Sequence, residues 1–151
     1  MFLLTPEDRE HIHSVAEHHV QLLQSDTLTK TQGMQMEIAL YEEMVAHRLR
    51  HAEDWIGVVT DAKNGMIAYA WAHYEPSTAQ VTIESLYVAP EYRQQGYATD
   101  LKQRIETWAK MQGARQLKGT VQQSNQAMIQ LNEALGYRVE KYIMSKSLEE
   151  S

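Results

Sequence analysis

Three strand-like segments follow one another between Trp55 and Val88, and they constrain the fold more than any other part of the chain. Trp55–Thr60, Met66–Tyr74 and Gln80–Val88 are joined by short segments that carry turn residues, Asn64 and Gly65 in the first and Pro76 in the second. Connections this short join antiparallel neighbours. The stretch therefore predicts a three-stranded antiparallel meander.

The middle segment has a bulky and a small face. Tyr69 and Trp71 alternate with Ala68, Ala70 and Ala72, and successive side chains of a strand point to opposite faces of the sheet. Packing in the core is the default interpretation for both faces. Room for a substrate or a partner chain along the small face is the alternative.

The rest of the chain reads as helices and further strands around this meander. Thr5 and Pro6 have the pattern of an N-cap and a first helical turn. Before the meander we expect a strand at Phe2–Leu4, a helix after Pro6, a polar connection at Ser25–Gly33 and a helix at Met34–His51. After the meander we expect a helix at Ala98–Gln112, a strand at Leu117–Val121, a helix at Asn125–Leu135 and a strand at Tyr137–Leu148. This order predicts an α+β (mixed α/β) fold with a mixed, mostly antiparallel sheet flanked by helices.

Composition narrows the class of protein. The 151 residues correspond to a single domain, 1–151. The absence of cysteine excludes disulfides, thiolate zinc sites and a cysteine nucleophile, and is compatible with a cytoplasmic location. A net charge of 14 − 20 = −6 disfavours nucleic acid as a partner and mildly favours cationic amines. No signal peptide is visible, and no apolar run approaches the roughly 20 residues that span a bilayer.

The segment from Glu84 to Thr99 carries the strongest functional signal. A strand ends at Val88, a turn containing Pro90 follows, and a loop with Gly96 leads into a helix. Such a loop directs free backbone N–H groups at one point, with the positive end of the helix dipole behind them. This favours an anion site suited to a pyrophosphate, with an ordinary strand-to-helix turn as the alternative. No P-loop or G-x-G-x-x-G pattern is present.

Two motifs in this part of the chain resemble a known family. Arg93–Ala98 is similar to the R/Q-x-x-G-x-G/A loop of the GNAT superfamily of acetyl-CoA-dependent N-acetyltransferases, and Asn125–Tyr137 resembles its second motif, an Asn-led helix that closes in Gly and an aromatic residue. The resemblance implies a splayed strand pair, with pantetheine lying between the strand that ends at Val88 and the strand at Leu117–Val121. The cofactor-binding residues it implies are Leu86, Tyr87, Val88, Arg93, Gln94, Gln95, Gly96, Tyr97, Ala98, Thr99 and Asn125.

Acetyl transfer to nitrogen needs a deprotonated amine and a stabilised oxyanion. The resemblance assigns the oxyanion to the backbone N–H of Val88. Glu84, on the same strand, is our candidate for the base, and a structural pairing with an arginine or exposure to solvent is the alternative. His73 and Glu75 are weaker candidates.

One position departs from the family pattern. Alignment of the second motif places Asn132 where the family usually has the tyrosine that protonates the leaving thiolate. An asparagine side chain donates a hydrogen bond but does not deliver a proton. Tyr142, Tyr97 and Ser124 are the alternatives for this role.

The sequence therefore predicts an N-acetyltransferase that uses acetyl-CoA by direct transfer to a primary amine of a small molecule or peptide. A non-catalytic acyl-CoA-binding module and a protein-modifying acetyltransferase are the alternatives. We expect no metal, because the face shared by Glu43, His47 and His51 also lies beside Arg48 and Arg50 and reads as solvated. No membrane or nucleic-acid partner is expected, and no residue pattern demands a homodimer, although one is compatible with the fold.

Overall fold

The computed structural model describes residues 1–23, 31–51, 53–63 and 65–149. Its elements in chain order are β1 (Phe2–Leu3), α1 (Arg9–Leu23), α2 (Thr31–Arg50), β2 (Asp54–Asp61), β3 (Gly65–Glu75), β4 (Gln80–Val88), a 3-10 turn (Pro90–Tyr92), α3 (Tyr97–Gln112), β5 (Gln116–Gly119) and α4 (Gln126–Ala134). Most of the predicted elements are present, with bounds that differ by a few residues. Of the polar connection predicted at Ser25–Gly33, the last three residues belong to α2, which begins at Thr31, and the earlier ones lie outside the described residues.

The chain divides into two compact units, Met1–Gly119 and Thr120–Ser151. The first contains the sheet with α1, α2 and α3, and the second contains α4 and the residues that follow it. Across the residues that the structure describes, no helix is both long and apolar enough to cross a membrane.

The five strands of the first unit form one sheet in the order β1-β2-β3-β4-β5. Every neighbouring pair from β1 to β4 is antiparallel, and β5 is parallel to β4. The predicted meander is therefore confirmed as β2, β3 and β4. The mixed, mostly antiparallel sheet that the sequence predicts is confirmed with it.

The two faces of β3 are covered by different helices. Tyr69 and Trp71 are fully buried in a core with Ile12 and Val15 of α1 and Val45 of α2. On the opposite face, the three alanines pack against α3 through Leu101, Ile105 and Ala109. The small face is thus filled by a helix: side chains that end at Cβ let α3 approach the sheet closely, and leave no room there for a substrate or a partner chain.

Capping residues fix where two helices begin and end. α1 begins at Arg9 rather than directly after Pro6, because Asp8, not Thr5, accepts the backbone N–H of His11 on its carboxylate at 3.3 Å. α3 ends at Gly113, whose φ of +87° places it in the left-handed region. Its N–H donates to the carbonyls of Ala109 and Lys110.

The last predicted strand, Tyr137–Leu148, is wrong: these residues adopt no regular secondary structure. A strand needs the N–H and C=O groups of a neighbour, and no strand pairs with this segment among the described residues. Its large apolar side chains are exposed; Val139 is 62%, Tyr142 84% and Ile143 82% accessible. The alternation of the segment suits a strand, but none of the described strands pairs with it.

Candidate active site

A β-bulge sits in the middle of β4. Trp71 of β3 pairs with Ser85, and the next residue of β3, Ala72, pairs with Ile83, so Glu84 has no partner across the ladder. The extra residue keeps Ile83 and Leu86 on the face covered by α3, although three positions separate them. Bulges of this kind turn a side chain to a new direction and are common beside active sites.

Past the bulge, β4 loses its neighbour on one side. The β4–β5 ladder runs from Gln80 to Ile83 and ends there, whereas β4 continues to Val88. The N–H of Ala89 donates to Ile67 at 2.8 Å. Since N–H groups alternate in direction along an antiparallel strand, the N–H groups of Leu86 and Val88 point away from β3, toward the side that β5 has left.

The loop after β4 presents a row of free backbone donors. From Gln94 to Thr99, no backbone N–H donates to another group in the part of the chain that the structure describes. Gln94 has φ of +62° and Gly96 has φ of +90°. This turn directs the backbone into the first turn of α3, whose N-terminus carries the positive end of the helix dipole.

Side-chain hydrogen bonds hold this loop in place. The Nε of Arg93 donates to the carbonyl of Val88 at 2.9 Å, and the hydroxyl of Tyr92 donates to Asp61 at 2.7 Å. The first bond ties the loop to the end of β4, and the second ties it to the end of β2. Arg93, predicted as a cofactor-binding residue, has a structural role in holding this loop.

Glu84, the predicted base, is half-buried and faces an arginine. Its Oε1 lies 3.7 Å from Nη1 of Arg48 on α2, and its side chain is 30% exposed. Burial raises the pKa of Glu84; the positive charges of Arg48 and His73 oppose that rise, and the negative charge of Asp54 adds to it. The pairing with an arginine that the sequence left open is thus present, and it coexists with a raised pKa.

Asp54 is the site residue that sequence reasoning missed. Its carboxylate is fully buried; Oδ2 accepts the indole N–H of Trp71 at 2.5 Å, and Oδ1 lies 2.6 Å from Nδ1 of His73. Arg48 lies 3.7 Å from Oδ2 as well. An Asp at the start of a predicted strand reads as a turn residue, so only the pairing of β2 with β3 could have revealed it.

Glu53, Asp54 and His73 are close enough to suggest a metal site. The donor set does not fit a cation, because both oxygens of Asp54 already accept hydrogen bonds and a guanidinium lies beside them. His73 instead lies between Asp54 and Glu75, whose Oε2 is 3.8 Å from its Nε2.

An aromatic wall lies on the same face of the sheet. The ring of His18 stacks on Tyr87 with centroids 4.1 Å apart, and Tyr69 lies 6.1 Å from Tyr87. The hydroxyl of Tyr69 hydrogen-bonds to Ser85 at 2.5 Å. Burial lowers the pKa of His18, with Glu17 opposing this change, so the imidazole favours its neutral form.

In the second unit, Asn125 caps α4 and accepts the N–H of Met128 on its side chain at 3.2 Å. Asn132 lies on the same helix, and its carbonyl accepts the N–H of Tyr137 at 2.9 Å. Its side-chain oxygen is buried and has no hydrogen-bond partner among the described residues. Of the alternatives for a proton donor, Tyr142 and Ser124 are exposed.

Comparisons with known proteins agree with this arrangement. The sequence profile of the Acetyltransferase (GNAT) family matches residues 18–137. Aminoglycoside N(6')-acetyltransferase type 1 of Acinetobacter baumannii is 31% identical over 71 residues, which are 47% of this chain and 49% of that protein. The match thus spans about half the length of this curated relative.

Solved structures extend the likeness along the chain. A GNAT acetyltransferase structure from Staphylococcus aureus is 33% identical with a TM-score of 0.69, covering 79% of this chain and 98% of that one. The complex of AAC(6')-Iy with the bisubstrate analogue CoA-S-monomethyl-acetylneamine shares the fold at 19% identity, with a TM-score of 0.68 over 97% of this chain and 95% of that one. With the family profile matching most of its length, this chain belongs to the GNAT family of acetyltransferases.

Proposed function

We propose that this protein is an acetyl-CoA-dependent N-acetyltransferase that acts on a primary amine of a small molecule, by direct transfer and without a covalent enzyme intermediate. One observation carries the proposal: past Ile83 the edge of β4 pairs with no strand in the described part of the chain, and after a short turn it leads to a loop of unused backbone N–H groups. An acyl donor with an extended arm and a pyrophosphate fits these two features in that order.

The residues present fit such a donor. The N–H groups from Gln94 to Thr99 would surround the pyrophosphate, since free amides at a helix N-terminus stabilise anions. The edge N–H and C=O of Leu86 would pair with the amides of the pantetheine arm. The family resemblance supports a role for Asn125 in binding the pantetheine arm as well.

The chain would perform the chemistry with few groups. Acetyl-CoA supplies the acetyl group as an activated thioester. The amine nitrogen attacks the thioester carbonyl carbon to form the new C–N bond, and Glu84 accepts the proton that the nitrogen gives up. Collapse of the resulting oxyanion then breaks the C–S bond and releases CoA as a thiolate. The N–H of Val88 points to the open edge, which supports the proposal that it stabilises the oxyanion. The raised pKa of Glu84 improves its match to an amine as a proton acceptor.

Asn132 favours a second candidate function, a non-catalytic acyl-CoA-binding module. Its buried side-chain oxygen has no described hydrogen-bond partner, and an amide has no proton to give to a thiolate.

A thiol with a pKa of about 8.5 leaves readily without assistance. We therefore expect transfer to continue without a tyrosine at this position, at a reduced rate.

For the acceptor, we infer a small, cationic molecule with one or more primary amines. The relatives named above include aminoglycoside acetyltransferases, and the chain's net charge of −6 attracts cations. Tyr87, which is partly exposed and stacks on His18, offers aromatic surface to a cation on the same side of the sheet as Glu84. A protein-modifying enzyme would instead prefer peptide amines.

Calorimetric titration with acetyl-CoA, followed by measurement of released CoA, tests the proposal. The amine panel contains neamine, linear polyamines and lysine peptides. Binding with CoA release on neamine or a polyamine supports the proposed enzyme. Release on peptides alone supports the protein-modifying alternative, binding without release supports the binding module, and no binding overturns both functions.

Substitution of Gly96 tests the anion loop. Gly96→Glu places a carboxylate among the free N–H groups, whereas Gly96→Gln introduces the same backbone strain at φ +90° without the charge. We expect the Glu variant to bind acetyl-CoA at least about tenfold more weakly than the Gln variant, because like charges repel at the loop. Equal affinities of the two variants in calorimetry would show that no phosphate lies there.

A further inference from the structure

Four charged or titratable side chains from four elements meet beside the bulge of β4. We call this group the Asp54 cluster: Arg48 of α2, Asp54 of β2, His73 of β3 and Glu84 of β4. The proposed chemistry uses only Glu84. The other three are brought to it by pairing across the sheet and by the packing of α2.

Asp54 is the centre of the cluster. Its carboxylate has no solvent exposure, and both of its oxygens have hydrogen-bond partners. Oδ2 accepts the indole N–H of Trp71 at 2.5 Å, and Oδ1 lies 2.6 Å from Nδ1 of His73. A charge buried this deeply requires such partners. Since Trp71 is itself fully buried in the core, the position of the carboxylate is fixed by the sheet and not by solvent.

Arg48 is shared between two carboxylates. Its Nη1 lies 3.7 Å from Oδ2 of Asp54 and 3.7 Å from Oε1 of Glu84. The guanidinium therefore holds together two groups that would otherwise repel each other. A change at Asp54 must alter how strongly Arg48 acts on Glu84, although Asp54 itself is shut off from solvent.

We propose that Asp54 is a positioning residue for Glu84. Asp54 fixes His73 through Nδ1 and shares Arg48 with Glu84, and it thereby sets the pH range in which Glu84 accepts a proton. The inference rests on the proposed function in that it takes Glu84 as the base. With Nδ1–H donated to Asp54, the Nε2 of His73 is left facing Glu75 at 3.8 Å.

Removal of each charged partner shifts the pKa of Glu84 in a definite direction. Asp54→Asn deletes a negative charge that raises the pKa of Glu84, and leaves Arg48 to interact with Glu84 alone. Both effects lower that pKa. Arg48→Gln removes the positive charge beside Glu84 and raises it. The charged groups of the described chain that act on Glu84 are thus Arg48, His73 and Asp54, and two of them are tested with opposite signs.

The primary measurement is an NMR titration of the Glu84 carboxyl in protein labelled with ¹³C-glutamate, with the signal assigned by its loss in Glu84→Gln. We expect the midpoint to move up by about one pH unit in Arg48→Gln and down by roughly half a unit or more in Asp54→Asn. Glu106→Gln removes an equal charge from an exposed pair with Lys110 on α3, and serves as the control with no shift. Nitrogen shifts of His73 should show Nδ1–H in the wild type and a mixture of tautomers in Asp54→Asn.

A midpoint in Asp54→Asn that is unchanged, or that moves up, overturns the inference; if that variant does not fold, an unchanged midpoint in Arg48→Gln does so. The acid limb of the kcat/KM pH profile should follow the same two shifts. If the midpoints move as expected while the wild type acetylates no amine, the cluster stands and the proposed function fails. If Glu84→Gln keeps the acid limb, the assignment of the base fails instead.

Discussion

A buried imidazole shows how the environment of one residue decides its chemistry. His19 is 6% exposed and lies edge-on to Tyr41 and Trp71, with ring centroids 4.7 and 4.9 Å away. Its Nδ1 is buried and has no hydrogen-bond partner within residues 1–23, 31–51, 53–63 and 65–149. Burial lowers its pKa, so the folded protein holds His19 neutral.

The unfolded chain therefore takes up a proton on this side chain at a higher pH than the folded chain does, and stability falls as pH drops below about 6.5. We expect His19→Phe to raise the free energy of unfolding by about 1 kcal/mol at pH 7. The gain should be larger at pH 5, because protonation of His19 in the unfolded chain has by then lowered the stability of the wild type.

Urea denaturation at pH 7 and pH 5 measures the difference. The matched control is His47→Phe, at an exposed position on α2, which should change stability little at either pH. A gain for His19→Phe that does not grow on acidification would contradict the role of burial. His18, whose pKa burial also lowers, keeps part of the acid sensitivity in both variants.

At the scale of elements, α4 illustrates how a motif residue can have two roles. Asn125 is the N-cap of this helix and accepts the N–H of Met128. Loss of such a cap costs about 1 kcal/mol. We expect Asn125→Ala to lower the thermal midpoint, and Asn125→Asp to restore it, because a carboxylate caps as well as an amide.

Acetyl-CoA affinity separates the second role from the first. If Asn125 also binds the pantetheine arm, as we propose, Asn125→Asp should recover the melting temperature without recovering affinity in calorimetry. Full recovery of both quantities would leave Asn125 with the capping role alone.

The same scale explains what the sequence could and could not predict. The bounds of β4 were predicted correctly, because turn residues flank a clear strand pattern. Asp54 was missed because of register. Counted back from Asp61 and Gly65, Asp54 would face Ala72; the irregularity at Val59 and Thr60 moves it by one residue, to His73. Period-two patterns carry no sign of such a shift.

The C-terminal segment failed for a related reason. Alternation in Tyr137–Leu148 indicates that a strand could form, but whether a partner is available depends on the tertiary structure. The anion loop, by contrast, is local: Gly96, the strand before it and the helix after it are contiguous in sequence. The sequence therefore predicted the strand–loop–helix geometry around Gly96. It named Glu84 and His73 of the Asp54 cluster as candidates, but not Asp54 or the assembly of the four distant residues.

For the molecule as a whole, the charge on one buried lysine affects global stability. Lys102 is 5% exposed on α3, and burial lowers its pKa to about 8. Between that value and the 10.5 of an exposed lysine, the unfolded chain binds the proton and the folded chain does not, so stability rises with pH across this range. Below pH 8 the full cost of the buried charge remains.

We therefore expect Lys102→Met to stabilise the protein at pH 7.5 by up to roughly 3 kcal/mol, a difference that shrinks as pH approaches 10. Guanidinium denaturation at both pH values gives the comparison, with Lys110→Met at an exposed position of the same helix as the control. A stabilisation that is equal at pH 7.5 and pH 10 would trace to packing and not to charge.

The bulge in β4 has a consequence for the history of this chain. Without Glu84, Ile83 and Ser85 would be adjacent in sequence and would still face Ala72 and Trp71, so the ladder would be regular and both faces of the sheet would keep their residues. The candidate base is thus a supernumerary residue that the fold does not require. If Glu84 is the base, as we propose, the gain or loss of a single codon at this point would switch proton transfer on or off in a descendant of this chain, while the core and the loop at Gly96 stayed the same.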